Sequence, residues 1–215
     1  MSSLDEVLES AARLQKLVPD AVLGDSTDHD HVVTDLRERF DAVLDAVESE
    51  GEWVTNRVVP GKIILGNLGE IEVGVRELIR KRPLEVQTVV LPDGQSLRVP
   101  AIEEALRIKA FLAIRRNQTR DYLDIAALSD TIGTDKAAAV LSSIDDYYAD
   151  HQRGDEAVAS QVVRQLARPK PKDSTATKKL HGYKNLSPRW QDWSKVTGQC
   201  QAVARSMVLA KQEGI

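Results

Sequence analysis

A chain of 215 residues, 42% hydrophobic and 29% charged, has the size and composition of one or two globular domains. That balance excludes a disordered, collagen-like or fibrous protein, and no apolar run reaches the ~20 residues of a membrane helix. The net charge of −4 argues against a uniformly basic nucleic-acid binder. The N-terminus lacks a secretory signal, and the single Cys200 excludes a disulfide framework or a cysteine-based zinc cluster. The expectation is a cytoplasmic protein with no membrane partner.

Leu4, Val7, Leu8, Ala11 and Leu14 recur at helical spacing and predict a first helix over 4–17, stopped by Pro19. Residues 21–24 read as a short buried strand ending in a turn. A second helix is expected over 34–49, with Thr34 as N-cap and Leu36, Phe40, Val43, Leu44 and Val47 on one face. Strands follow over 53–59, 62–66 and 70–75, separated by Pro60-Gly61 and Asn67-Leu68-Gly69. A hairpin then runs from 84–91 to 96–99 across Pro92-Asp93-Gly94. From 101 onward the pattern is helical, over 101–116, 119–131, 134–149 and 155–166. A last helix is expected from Ser187-Pro188 to about Lys211.

Helix, strand, helix, several strands and then helices is an α+β order. The corresponding domain expectation is a sheet-bearing core over 1–100 and a helical region over 101–167. A Pro-, Lys- and Ser/Thr-rich basic linker over 168–186 and a C-terminal helix over 187–215 complete it. Residues 164–189 are strongly basic, with Arg164, Arg168, Lys170, Lys172, Lys178, Lys179, Lys184 and Arg189, whereas acids dominate 1–52. A phosphate-rich partner and a merely solvated basic tail both fit this asymmetry.

Three places could carry chemistry. In an extended Asp28-His29-Asp30-His31 segment, the period of two puts both carboxylates on one face and both histidines on the other. Two carboxylates about 6–7 Å apart are accommodated by a divalent cation such as Mg²⁺, although an isolated D-x-D is also common in acidic surface loops. On the helix over 101–116, Lys109 projects into the apolar stripe of Ile102, Ala105, Leu106, Leu112 and Ala113. It must snorkel out or meet an anion. Asp121 suits a first helical turn, whereas Asp124 points partly inward and needs a partner, for which Lys109 is the candidate. Cys200 reads as a core residue, and His151 and His181 lack metal-ligand spacing.

Several ordered blocks between about 14 and 133 together resemble one family. They are Asp28-His29-Asp30-His31-Val32, Trp53-Val54-Thr55-Asn56-Arg57, Pro60-Gly61-Lys62-Ile63-Ile64-Leu65-Gly66 and Gly74-Val75-Arg76-Glu77-Leu78. Arg82-Pro83-Leu84-Glu85, Arg107-Ile108-Lys109-Ala110-Phe111-Leu112 and Arg120-Asp121-Tyr122-Leu123-Asp124 continue the series. The string resembles the nucleotidyltransferase toxins of the AbiEii/MenT group. That resemblance implies a minimal nucleotidyltransferase fold and transfer of a nucleotide from an NTP to RNA, at a tRNA 3′ end, with Mg²⁺ and a cognate antitoxin as partner. It makes Asp28 and Asp30 the metal pair, Lys109 the triphosphate contact and Asp124 a further essential acid. Gly24 and Ser26 would serve the nucleotide. The family's second turn glycine and following helix are missing, since only Asp25, Ser26 and Thr27 separate Gly24 from Asp28. A catalytically degenerate relative that binds RNA or an antitoxin is the alternative. Glu72 is a secondary candidate for a third carboxylate.

Overall fold

In the computed structural model, residues 4–25, 30–151, 156–183 and 186–212 are described. The chain is α+β and divides into two compact units, 1–101 and 102–215.

The first unit is organised by a five-stranded sheet. Helix α1 (Leu4–Leu17) buries Ala11 and Leu14 of the expected apolar repeat together with Ala12, whereas Val7 and Leu8 are half-buried and Leu4 is exposed. Strands β1 (Val22–Asp25) and β2 (Asp30–Val33) pair antiparallel. Helix α2 (Phe40–Glu48) leads to the meander of β3 (Trp53–Val59), β4 (Ile63–Leu68) and β5 (Ile71–Glu77). The sheet order is β1-β2-β5-β4-β3, and β2 and β5 run parallel at its centre. Leu14, Leu36, Phe40, Val43, Val47, Ile64 and Val73 pack into its core.

Helix α2 starts six residues later than its apolar pattern suggests. The Arg37 N–H donates to the Glu77 carboxylate at 2.9 Å, and the Arg39 guanidinium donates to Asp35 at 2.7 Å and also to Asp20. These tertiary partners hold 34–38 in turns, and Arg39 stands at the helix start without a side-chain cap. Leu36 is nevertheless fully buried.

Two glycines are required by close approach. A Cβ at Gly66 would lie 2.4 Å from the Trp53 ring, and one at Gly74 would lie 2.1 Å from an Asp30 carboxylate oxygen. Trp53 closes its own polar account by donating Nε1 to the Thr55 hydroxyl at 2.9 Å, which in turn donates to Glu48 at 2.7 Å.

A separate hairpin, β6 (Val86–Val90) and β7 (Ser96–Pro100), turns at Gly94, whose φ of +84° suits the left-handed region. The Gln15 amide takes both backbone groups of Arg98 on β7, donating to its carbonyl at 2.9 Å and accepting its N–H at 2.7 Å. All five residues of β6 are exposed.

The second unit is helical. Helices α3 (Ile102–Arg115), α4 (Thr119–Ile132), α5 (Thr134–Ser142), α7 (Val158–Ala167) and α8 (Trp193–Gln212) surround a core that includes Leu106, Phe111, Tyr122, Ile125, Leu141 and Val196. The expected single helix over 134–149 breaks after Ser142. The short α6 (Asp145–Tyr148) follows, because the Asp145 carboxylate receives the backbone N–H groups at the start of α7, with Val158 at 2.6 Å. Similarly, 188–191 forms a 3-10 turn and α8 begins only at Trp193. There Asp192 accepts the Ser194 N–H at 2.8 Å and its hydroxyl at 2.7 Å, holding its own carboxyl below the usual range.

Candidate functional site

The positions singled out from sequence fall into both units. Asp30 belongs to the first unit, and Lys109 and Asp124 to the second. Ser26, Asp28 and His29 lie outside the described residues. Gly24 is a half-buried strand residue on β1, and Glu72 is exposed on β5.

Parallel pairing of β2 with β5 sets Asp30 opposite Gly74 and Val32 opposite Arg76. The missing Cβ at Gly74 leaves room for the Asp30 carboxylate, which meets Arg76 Nε at 2.9 Å. A cation supplied by the chain itself therefore stands beside the carboxylate for which sequence alone suggested a metal. Neighbouring His31 is fully buried, as the alternation along the strand requires. Among the described residues there is no group of three or more His, Cys, Asp or Glu side chains able to hold a metal ion.

In the second unit, Lys109 Nζ meets the Asp124 carboxylate at 2.8 Å. The lysine side chain is 13% exposed and the aspartate 40%, so the pair runs from the helical core to solvent. This is the pairing that the inward projection of both residues implied. On the same helix, Arg107 lies over the Tyr147 ring at 3.9 Å and contacts the buried Glu104 at 3.2 Å.

Asp121 is a fully buried carboxylate of the same unit. Arg116 grips it with both Nε and Nη2, at 2.7–3.1 Å, while the Gln118 N–H donates to it at 3.2 Å and completes a capping box. Sequence reasoning assigned Asp121 only a favourable place near a helix N-terminus. The five-residue spacing from Arg116 across the α3–α4 turn was the available signal.

The same turn anchors the basic segment after α7. Asn117 adopts a φ of +55°. Its carbonyl accepts the Lys172 N–H, and its Nδ2 donates to the Lys170 carbonyl, both at 2.8 Å. The Asp173 carboxylate accepts the Thr119 N–H at 2.8 Å and its hydroxyl at 2.9 Å. Pro171 and Leu180 are buried. The Tyr122 hydroxyl, held by Asn117 and Gln165, is pushed up to about 12 by burial. The Cys200 thiol, fully buried on α8, is likewise raised to about 12 and has none of the character of a reactive thiolate.

Two grooves flank α7 and α8. One, of about 280 Å³, is lined by Ser142, Asp145, Ser160 and Lys211 among others. The other, of about 560 Å³, is bordered by Val163, Ala204, Val208 and Leu209.

The chain matches no protein-family model, and no solved structure matches it. It is 30% identical over 238 aligned positions to "Heme uptake protein MmpL11" of Mycobacterium tuberculosis, covering 94% of this chain and 22% of that protein. It is 32% identical over 179 positions to "Mycolic acid-containing lipids exporter MmpL11" of Mycolicibacterium smegmatis, covering 83% and 16%. It is 33% identical over 135 positions to "Probable transport protein MmpL11" of Mycobacterium leprae, covering 60% and 12%. The chain thus spans about a fifth or less of the length of these curated relatives. These matches overturn the resemblance to nucleotidyltransferase toxins, and with it the expected activity and the NTP, tRNA and antitoxin partners. The blocks that carried the resemblance have structural work here. Gly66 and Gly74 admit Trp53 and Asp30, and Arg76 neutralises Asp30. Lys109 and Asp124 neutralise each other. What this chain is similar to, across most of its length, is a limited stretch of MmpL11 transport proteins.

Proposed function

We propose that this chain serves membrane transport as an extramembrane part, at the cytoplasmic face, rather than as the path through the bilayer. The observation that supports it is a pair of facts taken together. The chain aligns over 94% of its length with 22% of a protein named for heme uptake, while among the described residues no helix is long and apolar enough to cross a membrane. A segment of that kind works on transport through contacts with the transporter or with the membrane surface. The two units offer firm scaffolds for such contacts, a glycine-packed sheet in one and a helical core with buried ion pairs in the other.

The test is replacement in the Mycolicibacterium smegmatis exporter. The stretch of that protein aligned with this chain is deleted, or exchanged for this chain, and export of mycolic-acid-containing lipids is measured. The reading expects deletion to abolish export and the exchange to restore a substantial part of it. Full export by the deletion variant overturns the proposal. So does failure of a chimera that accumulates and folds normally.

A further inference from the structure

A number of the described arginines and lysines carry a carboxylate partner. Arg13, Arg39, Arg76, Lys109, Arg116, Lys136, Arg164 and Arg189 are all ion-paired. The stretch 168–179 concentrates cations outside such pairs in one short segment. It holds Arg168, Lys170, Lys172, Lys178 and Lys179, all exposed, and none of them is ion-paired among the described residues. Its one acid, Asp173, is already spent on the N-terminus of α4 through Thr119. Both groups that Asp173 accepts from are neutral, so it keeps its own charge, and the stretch carries five cations against one anion.

The arrangement is also ordered. In Arg168-Pro169-Lys170-Pro171-Lys172 the exposed and covered positions alternate, with Pro171 buried, Pro169 half-buried and the three cations outside. The prolines restrict the backbone in advance, and Asn117 pins both Lys170 and Lys172 by their main chain. Presenting the row to a partner therefore costs little backbone entropy. Lysines contribute compact point charges suited to phosphate without demanding one geometry.

We propose that this strap rests on the anionic phosphate headgroups of a membrane surface, holding the second unit against the bilayer beside the transporter. The assignment rests on the transport reading above, which supplies the membrane. Basic segments near a bilayer gain from the negative potential of anionic lipids, and the attraction falls off within a Debye length. An unpaired, uniformly positive, pre-ordered row fits that field. The stretch 168–179 contains no aromatic residue, so it offers no ring on which a nucleic-acid base could stack.

The experiment uses the full chain with phosphatidylcholine vesicles containing about 30% phosphatidylserine, at ~0.1 M salt, in a sedimentation assay. Binding is expected on these vesicles and not on phosphatidylcholine alone. It should weaken steeply with added salt. The triple variant R168Q/K170Q/K172Q should lose roughly hundredfold in partition coefficient. K170R/K172R, which keeps the charge, should bind like the parent, and unchanged circular-dichroism melting of both variants separates lost charge from lost fold. Equal binding to neutral vesicles, or no binding to anionic ones, overturns the proposal. Release by millimolar inorganic phosphate at constant ionic strength points to a single-phosphate site and also overturns it, as does preference for total RNA at matched phosphate concentration. A chain that binds vesicles as expected but cannot replace the exporter segment overturns the transport reading and leaves the lipid contact standing.

Discussion

Asp30 in the first unit and Asp121 in the second are both carboxylates held by an arginine, one partly exposed and one fully buried. The Asp30 and Arg76 side chains are 23% and 40% exposed, whereas Asp121 is fully buried and its partner Arg116 is 30% exposed. In the sheet unit, geometry is set by missing side chains, since Gly66 and Gly74 let Trp53 and Asp30 close over β4 and β5. In the helical unit, geometry is set by a charge that cannot be left alone. A water-accessible pair contributes little, because solvent competes for both partners. A buried one commits the structure, because removing one partner strands the polar groups around the other.

The largest expected effect follows from that difference. Asp121→Ala removes the acceptor for Arg116 and for the Gln118 N–H together. It should destabilise the second unit by about 3 kcal/mol, read from the urea midpoint reported by Trp190 and Trp193 fluorescence. A change under about 1 kcal/mol would show that Arg116 finds water at no cost and that burial was irrelevant.

Alkali should separate the units next. The four tyrosines and the lone cysteine all lie in the second unit. Burial favours the neutral forms of Tyr122 and Cys200 and raises both to about 12. Their protonated forms are equally available to folded and unfolded chain at low pH, so stability is fully present below about pH 9. It is lost as pH climbs past the ordinary thiol and phenol values toward 12. At about pH 10.5 the second unit should be weaker than at pH 8 by roughly 2–3 kcal/mol. A first unit that weakens equally, reported by Trp53, would remove this contrast.

Gly66→Ala probes the opposite unit by overpacking. A methyl group 2.4 Å from the indole forces Trp53 or the strand to move, at a cost of about 2 kcal/mol confined to the first unit. Thermal melting of the variant followed by Trp53 fluorescence checks it, and an unchanged midpoint would mean that the sheet yields freely. The smallest effect belongs to Asp30→Asn, which removes a half-exposed ion pair and should cost less than about 1 kcal/mol. Its urea midpoint should also become insensitive to salt relative to the parent. A loss as large as that of Asp121→Ala would place the two pairs in one class and undo the comparison.

Much of the element order was legible. The spacing of Val7, Leu8, Ala11 and Leu14 made α1, and Pro60-Gly61, Asn67-Leu68-Gly69 and Asp93-Gly94 punctuated the strands, because these signals are local. Where helix boundaries moved, a distant partner was responsible. Glu77 claimed the Arg37 N–H, and Asp145 reached the start of α7. Asp124 with Lys109 was legible from projection on adjacent helices, whereas Arg76 as the partner of Asp30 was not. That pair depends on the parallel register of β2 and β5, which no local pattern encodes. The resemblance to nucleotidyltransferases rested on the same glycines, turns and charged residues that this fold uses for packing and neutralisation.

Sequence by itself determined the α+β class, the run of helices after residue 101 and the concentration of cations beyond residue 164, since periodicity and composition act over a few residues. Tertiary structure alone decided which charges are satisfied. Asp173 is drawn into the α4 N-terminus by Thr119, and Asn117 turns the Pro- and Lys-rich stretch into a fixed strap with its cations outward. The physical reason is that neutralising a charge requires a partner within a few ångströms in space. Chain folding supplies that proximity between residues some fifty positions apart.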